Sequence, residues 1–192
     1  MKRIMLSVFA AAVTAAWAVP ASATDVTFSG QYRVRGEYRV NATDFDDDAS
    51  DTAASMTQRV RLTANAEAAE DTTVKITLQD TRTFGSGGSG ALLSDGSVTN
   101  TLDLHEAYLN VEKIFGTPVN FRVGRQELAY GDERLIGSFG WSNNGRAFDG
   151  LKFNYMQEGV NVDFFHMTIA EDTGATNDDT RLTGVYATLG GL

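Results

Sequence analysis

Residues 26–40 read Val-Thr-Phe-Ser-Gly-Gln-Tyr-Arg-Val-Arg-Gly-Glu-Tyr-Arg-Val. Even-numbered positions carry apolar, aromatic or glycine residues, and odd-numbered positions carry polar or charged ones. Because successive side chains of a strand point to opposite faces, the stretch predicts one long strand with an apolar and a charged face. It is longer than the roughly 9–11 residues that a tilted strand needs to cross a membrane. A half-buried strand of a soluble sandwich would show the same alternation, so this stretch alone leaves both classes open.

The same alternation recurs along the rest of the chain and predicts about eight strands, with no stretch that requires a helix. The expected strands are residues 26–40, 56–67, 73–84, 102–112, 119–128, 151–155, 160–169 and 181–189. The connections alternate long and short, as in outer-membrane barrels, which have short periplasmic turns and longer extracellular loops. A soluble sandwich has no reason to keep its long loops at one end. The pattern therefore predicts an all-β, antiparallel transmembrane outer-membrane β-barrel, with a β-bulge expected near Gly124, where the alternation blurs.

The amino terminus has the features of a secretory signal peptide. Met1-Lys2-Arg3 precedes an apolar run, and Ala21-Ser22-Ala23 is a small-x-small cleavage site. We expect residues 1–23 to be removed, with cleavage near Ala23, and residues 24–192 to form the β-barrel domain. The protein is then expected in the outer membrane of a two-membrane bacterium, in contact with outer-membrane lipid.

Composition argues against several functional classes. A formal net charge of −9 disfavours a nucleic-acid partner. There is no cysteine, so no disulfide framework or thiolate metal site is available. His105 and His166 have no second ligand at metal spacing, and no nucleophile elbow or HExxH motif is present. We therefore predict no enzyme, no metal and no cofactor.

Basic residues occupy polar positions of the strands, whereas acidic residues crowd into the loops, at 44–51 and 171–179. The residues whose parity places them toward the lumen of a barrel are Arg33, Arg35, Arg39, Arg59, Arg61, Lys75, Arg122 and Lys152. The same faces carry mainly three acids, Glu37, Glu67 and Glu106. Because rings of arginine and lysine select anions in pores, this wall predicts a channel for anionic solutes. Arginine also binds carboxylates through two parallel hydrogen bonds, which suits a uronic-acid polymer.

Residues 129–147 form a long connection that is dense in charged, aromatic and glycine residues. The motif Gly124-Arg125-Gln126, the later Arg146-Ala147-Phe148-Asp149-Gly150 and the stretch 104–110 (Leu-His-Glu-Ala-Tyr-Leu-Asn) together resemble the alginate export family of outer-membrane porins. The resemblance implies a monomeric barrel of about eighteen strands with a basic lumen that passes an anionic polysaccharide. The candidate pore-loop residues are Arg125, Gln126, Asp132, Arg134, Trp141, Arg146 and Asp149. We expect the connection to fold into the channel or over its mouth, because exposed aromatic side chains are costly and its charged residues can pair.

The chain has fewer predicted strands than the resemblance implies, and two alternative functions stay open. About eight strands, rather than eighteen, predict the amino-terminal portion of a larger barrel. The final Gly-Gly-Leu lacks the aromatic residue with which outer-membrane barrels usually end, and which the outer-membrane assembly machinery, an expected partner, recognises. The alternative is a closed eight-stranded barrel with a structural or adhesive role, whose interior the charged side chains would fill. A barrel enzyme would need a nucleophile and a base within reach of each other, and no such pair is evident.

Overall fold

The computed structural model describes residues 25–41, 52–85, 102–171 and 179–190, which form one antiparallel sheet of eight strands in sequence order. The strands are β1 (Asp25–Arg39), β2 (Ala53–Ala69), β3 (Thr72–Thr83), β4 (Asp103–Val111), β5 (Val119–Gln126), β6 (Phe148–Gln157), β7 (Val160–Ala170) and β8 (Thr180–Leu189). A short 3-10 turn, Ile114–Gly116, lies between β4 and β5. Nowhere in the described residues does a helix have the length and hydrophobicity to span a membrane.

The prediction of an all-β chain with antiparallel strands is confirmed. Within the described residues, β1 pairs only with β2 and β8 pairs only with β7, so the sheet is open. This arrangement is consistent with part of a barrel wall. A closed eight-stranded barrel would instead require pairing between β1 and β8.

Several predicted boundaries shift. β2 begins at Ala53, inside the predicted loop, β5 ends at Gln126, and β6 begins at Phe148, ahead of its predicted start. The bulge expected near Gly124 is wrong, since the register between β5 and β6 continues unbroken with Gly124 opposite Gly150. Gly124 instead has a φ of 124°, and β5 ends two residues later, at Gln126. The register shifts lie between Glu67 and Ala69, between Thr77 and Leu78, and between Thr168 and Ala170. The acidic stretch 44–51 lies outside the described residues.

The two faces of the sheet differ as the parity predicted, and it is the polar face that is covered. Phe28, Tyr38 and Leu62 on the apolar face are more than half exposed. On the polar face Arg59 and Thr77 are buried, with Arg59 only 4% exposed. A large exposed apolar surface marks contact with a membrane or a partner, which fits a wall whose apolar face meets lipid.

The polar side of the sheet becomes apolar toward β6–β8. A buried cluster of Leu128, Phe148, Phe165 and Met167 forms there. Tyr130, Ile136 and Leu182 pack against it. In β7 the same side therefore carries the charged Asp163 beside Phe165 and Met167. This mixture leaves β7 without the regular alternation of apolar and polar residues that the other strands show.

Candidate functional site

Arginine side chains from β1 and β2 meet on the polar face, where the register places Arg33 directly opposite Arg59. Arg61 lies opposite Gln31 of β1 and Gln79 of β3, and Arg35 lies two residues beyond Arg33 on the same face. Like charges placed directly opposite destabilise a sheet unless other groups compensate them. We call Arg33, Arg35, Arg59 and Arg61 the arginine cluster.

The compensation comes from residues 127–147, which we call the β5–β6 connection. Arg33 Nη1 donates to the carbonyl oxygen of Gly140 at 2.8 Å, and its Nη2 donates to that of Ser142 at 2.8 Å. Arg59 Nη1 donates to the same Ser142 oxygen at 3.2 Å, while its Nη2 donates to Gln31 Oε1 at 2.8 Å. Two opposed guanidinium groups therefore converge on one backbone carbonyl.

Arg35 holds the same part of the connection in two ways. Its guanidinium donates to the carbonyl oxygen of Trp141 and lies 4.7 Å from the centre of the indole ring. The indole itself is 73% exposed, and Phe139, which lies under the Arg146 guanidinium at 5.5 Å, is 56% exposed. The connection thus folds over the polar face as predicted, but only part of the predicted reason is confirmed. Its charged residues do pair, as Arg134 does with Asp132, whereas the aromatic side chains stay exposed and hydrogen bonds to the backbone hold the connection in place.

The far arm of the connection is attached to β2 and β3. Gln79 Nε2 donates to the carbonyl oxygen of Asn144 at 2.7 Å, and Thr81 Oγ1 donates to the Asn144 side chain at 2.9 Å. Asn143 Nδ2 donates to the carbonyl oxygen of Gln58 at 3.3 Å. Polar groups of three neighbouring strands therefore bind one loop.

Glu127, at the base of the connection, adds a carboxylate that sequence parity did not reveal. Its Oε1 lies 2.6 Å from His105 Nε2 and 3.1 Å from Arg61 Nη1. His105 reaches it because the register shift in β4 places the buried ring on the polar side beside Glu106. The hydrogen bond with His105, aided by the charge of Arg61 and opposed by burial, lowers the pKa of Glu127 below its ordinary 4.5.

The described residues thus form one open sheet, and a loop covers its cationic polar face. Residues 24–186 match the family model described as Alginate export. The chain belongs to the alginate export family. None of the curated proteins searched matches it. The predicted resemblance is confirmed, and membership of the alginate export family implies an outer-membrane protein of Gram-negative bacteria and supports a role in alginate export through an outer-membrane channel.

We expect acid to loosen the connection in this alginate export protein. A carboxylate whose pKa is lowered by folding contributes stability above its unfolded pKa, and that stability is lost as the pH falls through the folded pKa. The fluorescence of Trp141, the sole tryptophan outside residues 1–23, should therefore change as the pH falls through the lowered pKa of Glu127. Glu127→Gln should show the altered signal already at neutral pH. An unchanged acid transition in that variant would contradict the assignment.

Most of the predicted lumen cations of this alginate export protein have acidic partners. The ion pairs are Arg35–Glu37 at 2.7 Å, Arg39–Glu37 at 2.5 Å, Arg61–Glu127 at 3.1 Å, Lys75–Glu106 at 2.6 Å and Lys152–Asp163 at 3.1 Å. Arg122 lies 4.3 Å from the centre of the Tyr108 ring and donates to Asn110 Oδ1 at 3.3 Å. Among the described residues, Arg33, Arg59 and Arg122 have only uncharged partners.

Three of the candidate pore-loop residues lie where the connection leaves the sheet. Arg125 and Asp149 form an ion pair of 2.9 Å between neighbouring strands, and Arg125 also lines a cavity beside His105. Gln126 is completely buried, with its Nε2 at 3.4 and 3.5 Å from the carbonyl oxygens of Gly124 and Gly150. These residues anchor the base of the connection.

The remaining candidates lie farther along the connection. Arg134 and Asp132 pair with each other at 2.6 Å and are both largely exposed, at a turn of the connection. Arg146 donates through its backbone N–H to the carbonyl oxygen of Ser138 at 2.7 Å, which closes the loop that holds Trp141. Of the seven candidates, only Trp141 has a described bond to the arginine cluster.

Tyr130 joins the connection to the apolar end of the polar face. Its ring stacks between Phe165 and Tyr186, with ring centres at 5.4 and 4.6 Å, and its hydroxyl donates to Asp163 Oδ2 at 2.8 Å. Burial, and after it the hydrogen bond to Asp163, raise the pKa of Tyr130. Asp163 also accepts from Lys152 at 3.1 Å, so a second acid missed by parity neutralises a predicted lumen cation.

Proposed function

We propose that this chain forms part of the wall of an outer-membrane channel that passes anionic solutes, including an anionic polysaccharide such as alginate. The observation that carries the proposal is the arginine cluster. Four guanidinium groups from two neighbouring strands lie together on the polar face, and their carboxylate partners are Glu37 and Glu127. The local charge therefore remains positive, and a positive wall in a narrow channel concentrates anions.

The backbone groups that accept hydrogen bonds from the arginine cluster are weaker acceptors than a carboxylate. Backbone carbonyl oxygens of residues 140–142 accept from Arg33, Arg35 and Arg59, and these oxygens are uncharged. A carboxylate would bind the same guanidinium groups through charge-assisted, paired hydrogen bonds, which are roughly twice as strong as neutral ones. Arg33 Nε and Arg61 Nη2 are buried without a hydrogen-bond partner among the described residues. A carboxylated solute can thus bind the guanidinium groups of the arginine cluster, and in doing so it displaces the β5–β6 connection.

This competition links solute binding to the position of the β5–β6 connection. When the carbonyl oxygens hold the arginines, the connection covers the polar face. When carboxylates hold them, the connection loses its main attachments to β1 and β2. Successive uronate units of a polymer would then keep the path open for as long as the chain is passing.

The alternative, a closed small barrel with a structural or adhesive role, is less well supported. It would require the charged interior to fill a barrel of eight strands. In the described residues the sheet is open, and a loop rather than an opposite wall covers the polar face. The proposed role is that of a channel and not that of a catalyst.

Selectivity measured in planar bilayers under a salt gradient tests the proposal. The wild-type protein should prefer anions, and Arg33→Gln combined with Arg59→Gln should move the permeability ratio toward unity. The matched pair Arg33→Lys and Arg59→Lys keeps the charge and should keep the preference. Lys113→Gln, which removes a charge at the exposed β4–β5 turn, should change nothing.

A change of both Arg59 and Arg61 to Glu is expected to reduce or reverse the preference still further. Because Arg61 pairs with Glu127, this variant also places two carboxylates together, so the glutamine pair is the cleaner measurement. A cation-selective wild-type channel, or a selectivity that the arginine changes leave untouched, would overturn the proposal.

A further inference from the structure

A polar cavity of about 600 Å³ lies beside the arginine cluster, between the β2–β4 strand ends and the last residues of the β5–β6 connection. Hydroxyl and amide groups make up half of its lining, from Thr57, Thr81, Thr83, Gln79, Asn143 and Asn144. The volume falls within the roughly 300–1,000 Å³ of small-molecule sites. A lining of this kind offers many hydrogen-bonding groups and little apolar surface.

Three polar atoms of residues around this cavity are buried and have no partner among the described residues. They are Thr57 Oγ1, Asn143 Oδ1 and Arg125 Nε. Unsatisfied buried polar groups are rare in folded proteins, so three of them around one cavity call for a water or a bound group that completes their hydrogen bonds. Together they offer a hydroxyl, an acceptor and a donor.

The basic residues of the cavity lining each have an acidic partner. Arg125 pairs with Asp149, Arg82 pairs with Asp80 and His105 lies against Glu127, while Asp103 adds another carboxylate to the lining. A carboxylate entering the cavity would therefore meet fixed negative charge. Neutral hydroxyl groups, which donate and accept at once, match the unsatisfied groups without that penalty.

The cavity adjoins the arginine cluster through one side chain. Gln79 lines the cavity, accepts from Arg61 Nε at 2.7 Å and donates to the carbonyl oxygen of Asn144 at 2.7 Å. Gly145, also in the lining, lies so close that a Cβ there would be 2.7 Å from Arg61 Nη2. A ligand in the cavity can thus lie next to a carboxylate bound by the cluster.

We propose that the cavity binds the hydroxyl groups of a sugar ring, while the carboxylate of the same or the next unit binds the arginine cluster. The inference rests on the proposed function, since a channel for a polysaccharide brings such rings to this place. It adds a site for neutral hydroxyls beside the site for charge. Without an aromatic platform in the lining, binding is weak and release is fast, as transport requires.

Saturation-transfer NMR on the detergent-solubilised protein, with cellobiose as the neutral probe, tests the site. Cellobiose should bind in the millimolar range, and Thr57→Val, which removes one hydroxyl at nearly constant shape, should weaken binding by about 3- to 10-fold. Thr73→Val makes the same change on the polar face at the opposite end of β3 and should leave binding unchanged. Ala147→Leu, which fills the cavity from its lining, should abolish binding.

Bilayer selectivity of the same variants separates this site from the proposed function. Thr57→Val and Ala147→Leu should keep the anion preference, because the arginine cluster is intact. Absence of cellobiose binding in an anion-selective wild-type protein overturns the sugar site alone, as does equal binding by the wild type, Thr57→Val and Ala147→Leu. Cellobiose binding that Thr57→Val weakens, in a protein without anion preference, supports the site and overturns the channel selectivity.

Discussion

Leu62→Arg is expected to lower the free energy of unfolding from a lipid bilayer by about 2–4 kcal/mol. Leu62 lies near the middle of β2 on the apolar face, opposite Gly30 of β1 and Leu78 of β3, and is 53% exposed. In an outer-membrane wall this position faces hydrocarbon, where a guanidinium group loses its hydration. Urea unfolding in lipid vesicles measures the change, and the mobility of unheated protein on a gel gives the folded fraction at each urea concentration.

Thr63→Arg, one residue further on, is the matched control. Thr63 lies on the polar face, where its hydroxyl is 2.9 Å from that of Thr77. The substitution should cost only this hydrogen bond, on the order of 1 kcal/mol, because the new charge remains on the polar side. Equal destabilisation by the two variants would mean that the apolar face does not meet lipid.

Gly124→Ala is the second change for which we expect a large effect, about 3 kcal/mol of destabilisation. Gly124 has a φ of 124°, a backbone conformation that residues with a Cβ rarely adopt. A Cβ there would lie 2.2 Å from the carbonyl oxygen of Ala107 and 2.8 Å from Tyr108 Cα, and both are backbone atoms that cannot simply rotate away. β5 would have to move from β4 and take with it Glu127 and the base of the connection. The same urea unfolding experiment measures the loss.

Gly36→Ala is its control, since a Cβ at Gly36 would meet nothing within 4 Å and the residue has no positive φ. This substitution should be neutral or slightly stabilising, because alanine restricts the unfolded chain more than glycine does. If Gly124→Ala were as stable as Gly36→Ala, the close approach of β4 and β5 would not exist in the folded protein.

The strands and the two faces could be predicted because each is encoded by neighbouring residues. Alternation in β1 and β2 is a local pattern with a period of two, and the parity of Arg33 and Arg59 follows from it without knowledge of any partner. The family, likewise, is marked by short contiguous motifs around Arg125 and Asp149. The exceptions are β7, where an apolar cluster packs against the polar side, and His105, which the register shift in β4 places on the polar side.

The partners of the predicted cations could not be obtained in the same way. Glu127 lies just beyond the end of β5, although the predicted strand 119–128 included it and its odd number there pointed to the apolar face. Asp163 lies on a strand without clear alternation, so parity did not place either acid beside Arg61 and Lys152. The attachment of the connection depends on backbone carbonyl oxygens, which are the same at every residue. Trp141, which composition singled out for burial, is instead exposed above Arg35.

By itself, then, the sequence determined which side chains of β1, β2 and β3 line each face of the wall, because side-chain direction alternates with residue number in a regular strand. Only the tertiary structure decided that carbonyl oxygens of residues 140–142 occupy the arginine cluster and that a cavity lined by Thr57, Asn143 and Arg125 lies beside it. Both features join residues that are far apart in the chain, and their distances depend on strand register and loop conformation together. No periodicity along the chain records such distances.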